Sequence, residues 1–228
     1  MRDDPQVALR LAGALARWWA LRGRLPGQYP LLREVTGYAE PGSDQWCAGQ
    51  YWLGWAALLS FDLTGSLSHF TALRDAVGPG PTRSLADALA GRSMALGELG
   101  QIPEAAEEAR RSLAIARDLG YPFGEAMAVT HLAFAASGAG DVGEAVRLAQ
   151  QAGRVPGDIP ASMARTCSMS LTEMLIQADD FAAAESVCAA GLAASRAAGD
   201  LMNLPLLLAR MALLDLQAGR TEDAAAHL

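Results

Sequence analysis

Short turns recur along this chain at a nearly constant interval, and no other feature constrains its fold as much. They read "RGRLPG", "TGSLSHF", "LGQIPEAAEEA", "AGDVGEAVRLA", "ADDFAAAESV" and "AGRTEDAAAHL". Taking Gly23, Gly65, Gly100, Gly140, Asp179 and Gly219 as equivalent points, the spacings are 42, 35, 40, 39 and 40 residues. A period near 40 marks a chain of stacked supersecondary units, none of which can bury its apolar face alone. Between the turns apolar residues return three and four apart, as in Leu99, Ile102, Ala106, Leu113 and Ala116, and again in Leu171, Leu175 and Ile176. Each unit therefore reads as two antiparallel helices. A second connection repeats two periods apart: Gly120 and Gly199 suit left-handed helix ends, and Pro122 and Pro205 suit the first turn of the next helix. The expected architecture is all-α, about five and a half helix pairs in one continuous domain over 1–228. The loop "VGPGPTRS" is expected to be its least regular joint.

The stretch "SGAGDVGEA" tests this reading, because Gly138, Gly140 and Gly143 spell G-x-G-x-x-G. A dinucleotide-binding turn needs a β-strand before the glycines and an acidic residue on the following strand. What precedes Gly138 is "FGEAMAVTHLAFAAS", with Met127, His131 and Phe134 at helical spacing. Gly140 also occupies the same point of the repeat as Gly100 and Gly219, where no such motif exists. The glycines read as a turn between packed helices.

Composition excludes several functional classes. Ala and Leu dominate, and aromatic residues make up only 6% of the chain, which suits close-packed helices. The net charge is −7 and no basic stripe is present, so this stretch is not expected to bind nucleic acid. All 18 basic residues are Arg, which removes Schiff-base chemistry, a lysine base and a P-loop lysine together. Cys47, Cys167 and Cys188 are far apart and read as small apolar core residues of a reduced, cytoplasmic protein. No secretory leader or membrane span is recognisable. His69, His131 and His227 fall in different units without metal-ligand spacing, and no nucleophilic triad pattern occurs. Neither a cofactor, a metal nor an enzymatic activity is expected.

The segments "GDVGEA" (140–145) and "DDFAAAE" (179–185) resemble the tetratricopeptide repeat. Ala105, Ala145, Ala184 and Ala224 would take its small position in the second helix, and Phe181 its aromatic position after the turn. The period near 40 and the missing tryptophan at the start of most first helices depart from the common pattern. Longer repeats of this kind look like those of the large ATP-dependent LuxR-type and SARP-type transcriptional regulators. "DDPQVALRLAGALARWWALRGRLPG" is similar to the start of their repeat region, and "EEARRSLAIARDLGYPFGEAMAVTHLAFAASGAGDVGEA" to a unit within it. The resemblance implies a right-handed superhelical solenoid, a fragment of a longer chain carrying NTPase and DNA-binding domains elsewhere.

In a tetratricopeptide array the first helix of each unit lines the concave side. Counting back from each turn, that side would carry Trp52, Trp55, Met94, Met127, His131, Phe134, Met169, Glu173 and Arg210. Trp52 and Trp55 belong to the aromatic run "QWCAGQYWLGWAALLSF", for which a local core between the first two units is the favoured reading and a binding groove the alternative. The implied occupant of the groove is a peptide, a protein segment or a small apolar effector, since methionines adapt to varied shapes. Two functions follow: the sensor or scaffold region of a transcriptional regulator, or a stand-alone interaction adaptor.

Overall fold

Where each helix ends is decided by its last carbonyls, which lack partners unless the chain reverses sharply. The computed structural model describes residues 5–227, which are 79% helix with no strand among them. Met1–Asp4 and Leu228, which begin or end stretches quoted above, lie outside the described residues. At the turn within each helix pair, the first helix closes on a left-handed residue: Gly23, Phe61, Gly100, Gly140, Asp179 and Gly219, with φ between 58° and 82°. Each time, the amide of the next residue donates to the carbonyl five residues back, at 2.7–3.0 Å, as from Asp141 to Ala136 and from Asp180 to Leu175. This is the glycine-type helix ending, and only a left-handed residue gives it its geometry.

One expectation is corrected here. The second turn pivots on Phe61, not on Gly65, which sits in the first turn of the following helix with its amide bound to the Asp62 carboxylate at 2.9 Å. With Phe61 in register the spacings become 38, 39, 40, 39 and 40. The glycine search missed this turn because its left-handed residue is aromatic.

Among the described residues twelve α-helices form six pairs. They are α1 (Pro5–Leu21) with α2 (Tyr29–Thr36), α3 (Asp44–Leu59) with α4 (Leu63–Val77), and α5 (Arg83–Glu98) with α6 (Ile102–Asp118). Next come α7 (Pro122–Gly138) with α8 (Val142–Ala152), α9 (Ala161–Gln177) with α10 (Phe181–Ala198), and α11 (Leu204–Gln217) with the short α12 (Thr221–His227). Asp62, Asp141 and Asp180 cap the second helices of their pairs, each accepting an amide three residues on. The loop after Val77 spans only residues 78–82 and ends on the Thr82 cap of α5. The longest joint is 153–160, between α8 and α9, where "GRVPGDIP" supplies two prolines that cannot continue a helix.

Five residues after the left-handed residue, Ser66, Ala105, Ala145, Ala184 and Ala224 are at most 2% exposed. There the two backbones of a pair meet, and a larger side chain would part them. Successive odd helices also touch one another, while each even helix packs on the odd helices before and after it. The result is a two-layered solenoid. Phe70 of α4 fastens the second pair to the third: it is fully buried, and a Cβ on Gly91 would come within 2.3 Å of its ring and one on Gly54 within 2.7 Å. The three glycines of "SGAGDVGEA" occupy three different environments. Gly138 makes room for Ile102, Gly140 is left-handed, and Gly143 lies in the first turn of α8.

The array curves far enough to touch itself. The Leu201 amide, in the loop before α11, donates to the Leu21 carbonyl at the end of α1 at 2.8 Å. Beside this bond Gly199 leaves space for the Arg22 guanidinium, and Gly23 lies against the Leu201 carbonyl. The loop is held rigid from within. Asp200, fully buried, accepts from Arg165 at 2.6 Å, from the Asn203 side chain at 2.9 Å and from two loop amides at 3.1 Å. Burial pushes this carboxyl up, but the bonds from Asn203 and Arg165 outweigh that and hold it below its ordinary value.

Phe61 is 86% exposed and has φ 60°, a conformation that costs a residue with a Cβ roughly 1–2 kcal/mol. Phe61→Gly loses almost no packing, so it is expected to raise unfolding stability by about 1 kcal/mol after the extra freedom of glycine in the unfolded chain is counted. Urea denaturation of the two proteins measures the difference. An unchanged or lower midpoint contradicts the strain.

Candidate functional site

An α-helix advances about 100° per residue, so positions 6, 10 and 13 residues before each left-handed residue share an arc of about 60°. On the odd helices the neighbouring odd helices and the even layer cover the other sides, and this arc forms the open inner face. The row six residues back reads Arg17, Trp55, Met94, Phe134, Glu173 and Leu213, none of them buried. The row ten back adds Tyr51 and Met169, and the row thirteen back adds Arg10, Asp87, Met127 and Leu206.

The structure places Trp55, Met94, Phe134 and Glu173 in one row of this face, with Met169 beside it. Trp55 is half-buried, its ring edge-on to Phe70 at 5.7 Å and to Tyr51 at 6.2 Å, and its indole N–H has no acceptor. Phe134 is partly buried and rests on the core that contains Met127, while Met169 leans on the Leu207 and Met211 cluster. Glu173 is ion-paired with Arg210 of the next odd helix. Met127 lies on the arc but is only 6% exposed, between α7 and its neighbours.

Trp52, His131 and Arg210 are not in that row. They lie nine residues before their turns, about 60° further round, where side chains face the preceding pair. Trp52 packs in the core of the first two pairs. His131 is 6% exposed with its ring 6.3 Å from that of Trp55, and its Nδ1 has no partner. Burial lowers its pKa to about 4, only partly offset by the Ala90 carbonyl, so it is neutral at neutral pH.

A polar constellation at one end of this face escaped the sequence reading. The Tyr121 hydroxyl, at the start of α7, donates to both carboxylate oxygens of Asp87 at 3.2 and 3.3 Å. The Arg83 guanidinium lies 5.0 Å over the Tyr121 ring, and Arg17 of α1 is within electrostatic reach of Tyr51 and Tyr121. Burial pushes the Asp87 carboxyl up to about 7, against the opposing effects of Tyr121 and Arg83. A carboxyl desolvated in this way is the kind of group that functional sites retain at a cost in stability. The register does contain the signal, since Asp87 occupies the same row as Met127. It went unread because a lone acid on the exposed side of a helix ordinarily serves solvation.

The three cysteines are buried and unpaired. Among the described residues no group of three His, Cys, Asp or Glu is placed to hold a metal ion, and no helix is long and apolar enough to cross a membrane.

Asp87 yields a pH prediction. Its folded pKa, about 7, stands above its unfolded value near 3.8, so the folded state takes up a proton that the unfolded state does not. Stability therefore rises as pH falls from about 8 towards 4, and the ionised group weakens the fold above pH 7. Asp87→Asn is expected to stabilise the protein at pH 8 by on the order of 2 kcal/mol and to remove that slope. Urea denaturation at pH 8 and pH 5 checks it; equal slopes for both proteins contradict the buried charge.

No family model and no curated protein matches this chain. Solved structures do. The Rap protein complexed with Competence and Sporulation Factor superimposes with a TM-score of 0.78 at 12% identity, over 100% of this chain and 65% of that one. NprR in complex with its cognate peptide NprX gives 0.68 at 12% identity, over 98% and 64%. A kinesin light chain with nearly identical TPR-like repeats from Podosopora anserina gives 0.56 at 18% identity, over 86% and 96%. This chain thus spans about two thirds of the Rap and NprR chains. At these identities the likeness establishes the fold: a tetratricopeptide-like helical solenoid.

Proposed function

We propose that this chain is a non-catalytic repeat domain that takes an extended peptide or protein segment along the inner face of its odd helices. We place it as the sensor region of a transcriptional regulator whose NTPase and DNA-binding domains lie in a longer chain. One observation carries the binding reading. Trp55, Met94 and Phe134, from three consecutive pairs, stand in one row that packing has left partly open, flanked by Met169 and the Glu173–Arg210 pair. Aromatic and methionine side chains anchor apolar residues of a ligand, while charged groups at either end fix its direction. The fold likeness to the Rap and NprR complexes supports a peptide as occupant. The regulator context rests on the sequence resemblance of the "EEARRSLAIARDLGYPFGEA" unit.

A random peptide library selected on the chain supplies the probe. Phe134→Glu and Met94→Glu are each expected to weaken the selected peptide at least a hundredfold, because each sets a charge against an apolar ligand surface. Circular dichroism and thermal melting should change little, both side chains being already partly open to water. Two folded variants that bind like the parent contradict this use of the face. Recovery of an upstream P-loop and a DNA-binding segment in the full-length gene tests the regulator reading separately.

A further inference from the structure

Four acidic or basic side chains stand on the inner arc: Arg10, Arg17, Asp87 and Glu173. The two arginines are exposed and Glu173 is ion-paired with Arg210, whereas Asp87 is half-buried. Among the described residues both of its hydrogen bonds come from one neutral donor, the Tyr121 hydroxyl, at 3.2 and 3.3 Å. Arg83, one helical turn earlier on α5, lies over the Tyr121 ring, 5.0 Å from its centroid, rather than on the carboxylate. An ionised carboxylate has about four acceptor positions, so a single hydroxyl leaves most of them open.

The groups beside it are aromatic. Tyr51 belongs to α3 and Tyr121 precedes α7, so the odd helices on either side of α5 each bring one phenol ring to the acid. Burial, and after it the Asp87 charge, pushes both phenols above their ordinary value, so both keep their protons at neutral pH. The Arg83 guanidinium over Tyr121 shows one of these rings already taking a cation on its face. Met94 follows Asp87 by seven residues on the same helix, two turns or about 10 Å along the arc. The acid thus stands next to the apolar row, at a junction of three helix pairs.

We propose that Asp87, Tyr51 and Tyr121 form a subsite for a cationic group of the peptide ligand, an arginine or lysine side chain or the amino terminus, beside the apolar row of Trp55, Met94 and Phe134. This rests on the reading of the inner face as a peptide site. The carboxylate offers opposite charge and open acceptor positions, and the phenol rings offer π faces where water competes little. A carboxylate or phosphate of the ligand would meet Asp87 as a like charge. An apolar side chain would cover the acid without adding a single hydrogen bond to it. A metal ion would need further ligands, and among the described residues no group of three His, Cys, Asp or Glu is placed to give them.

Two libraries of short peptides screened on the chain test this, one with free amino termini and with Arg and Lys allowed, the other acetylated and lacking both. The tightest binders should come from the first. In titration calorimetry at pH 7 the best of them should bind Asp87→Asn at least about tenfold more weakly, the loss of one charged hydrogen bond. That variant keeps an acceptor for the Tyr121 hydroxyl and should melt no lower than the parent. Exchanging Arg for citrulline or Lys for norleucine, and separately acetylating the amino terminus, identifies the cation: only the group held in the subsite costs affinity in the parent and none in Asp87→Asn. A proton competes with the ligand for Asp87, whose pKa is about 7, so the parent should bind roughly tenfold more weakly at pH 5.5 than at pH 7, a dependence that Asp87→Asn removes. Facing the acid are Arg83 of its own helix, Tyr51 of α3 and Tyr121 before α7, with Arg17 of α1 within reach of both phenols. Acetylated, uncharged peptides that bind as tightly as basic ones, or a basic peptide that binds folded Asp87→Asn like the parent, overturn the subsite and leave the inner face as a peptide site. If no peptide of either library binds at millimolar concentration, both readings fall.

Discussion

The solenoid depends on one repeated constraint: a left-handed residue closes a helix, and five residues later the returning helix presents almost no side chain to its partner. Gly100 with Ala105, Gly140 with Ala145, Asp179 with Ala184 and Gly219 with Ala224 all obey it, and Phe61 with Ser66 obeys it by a costlier route. The first element sets the direction in which the chain returns, and the second sets how near it comes. Once the two helices of a pair are this close, their outer faces stack on the next pair, and stability accumulates as a sum of neighbour interfaces. The first pair escapes the rule. Five residues after Gly23 lies Gln28, at the end of a short 3-10 turn, and the looser packing that follows leaves a cavity beside Thr36.

Much of this was legible from the residues. The period, the helix pairs, the left-handed Gly120 and Gly199 and the early Pro122 and Pro205 all lie where the spacing placed them. The turn at Phe61 was not legible, because a search guided by glycine passes over an aromatic residue in a left-handed conformation. The joint at 153–160 was underestimated because "VGPGPTRS" carries as many Gly and Pro residues, but Thr82 caps the next helix and shortens that loop.

The inner face was readable only to within one helical row. Counting three and four residues apart selects a helix side about 100° wide, which joins the open row of Trp55, Met94 and Phe134 to the neighbouring row of Trp52, His131 and Arg210. Only packing separates them. His131 becomes a neutral core residue, Arg210 is tied to Glu173, and Trp52 turns towards the first pair. Asp87 and Tyr121 come together through the junction of two pairs, 34 residues apart, which no single helix pattern reveals.

What makes the open row an inner wall is the closure of the array on itself. The contact between the end of α1 and the loop before α11 rests on few atoms, yet that loop is fixed from behind by Asp200, Arg165 and Asn203. Hydrogen exchange at the Leu201 amide reports this closure directly, since its acceptor is the Leu21 carbonyl from the other end of the chain. The account requires slow exchange there, comparable with amides inside the neighbouring helices. Exchange at the rate of an open loop, in a protein whose helices remain protected, would mean that the array does not close and that its concave face is an open sheet of helices.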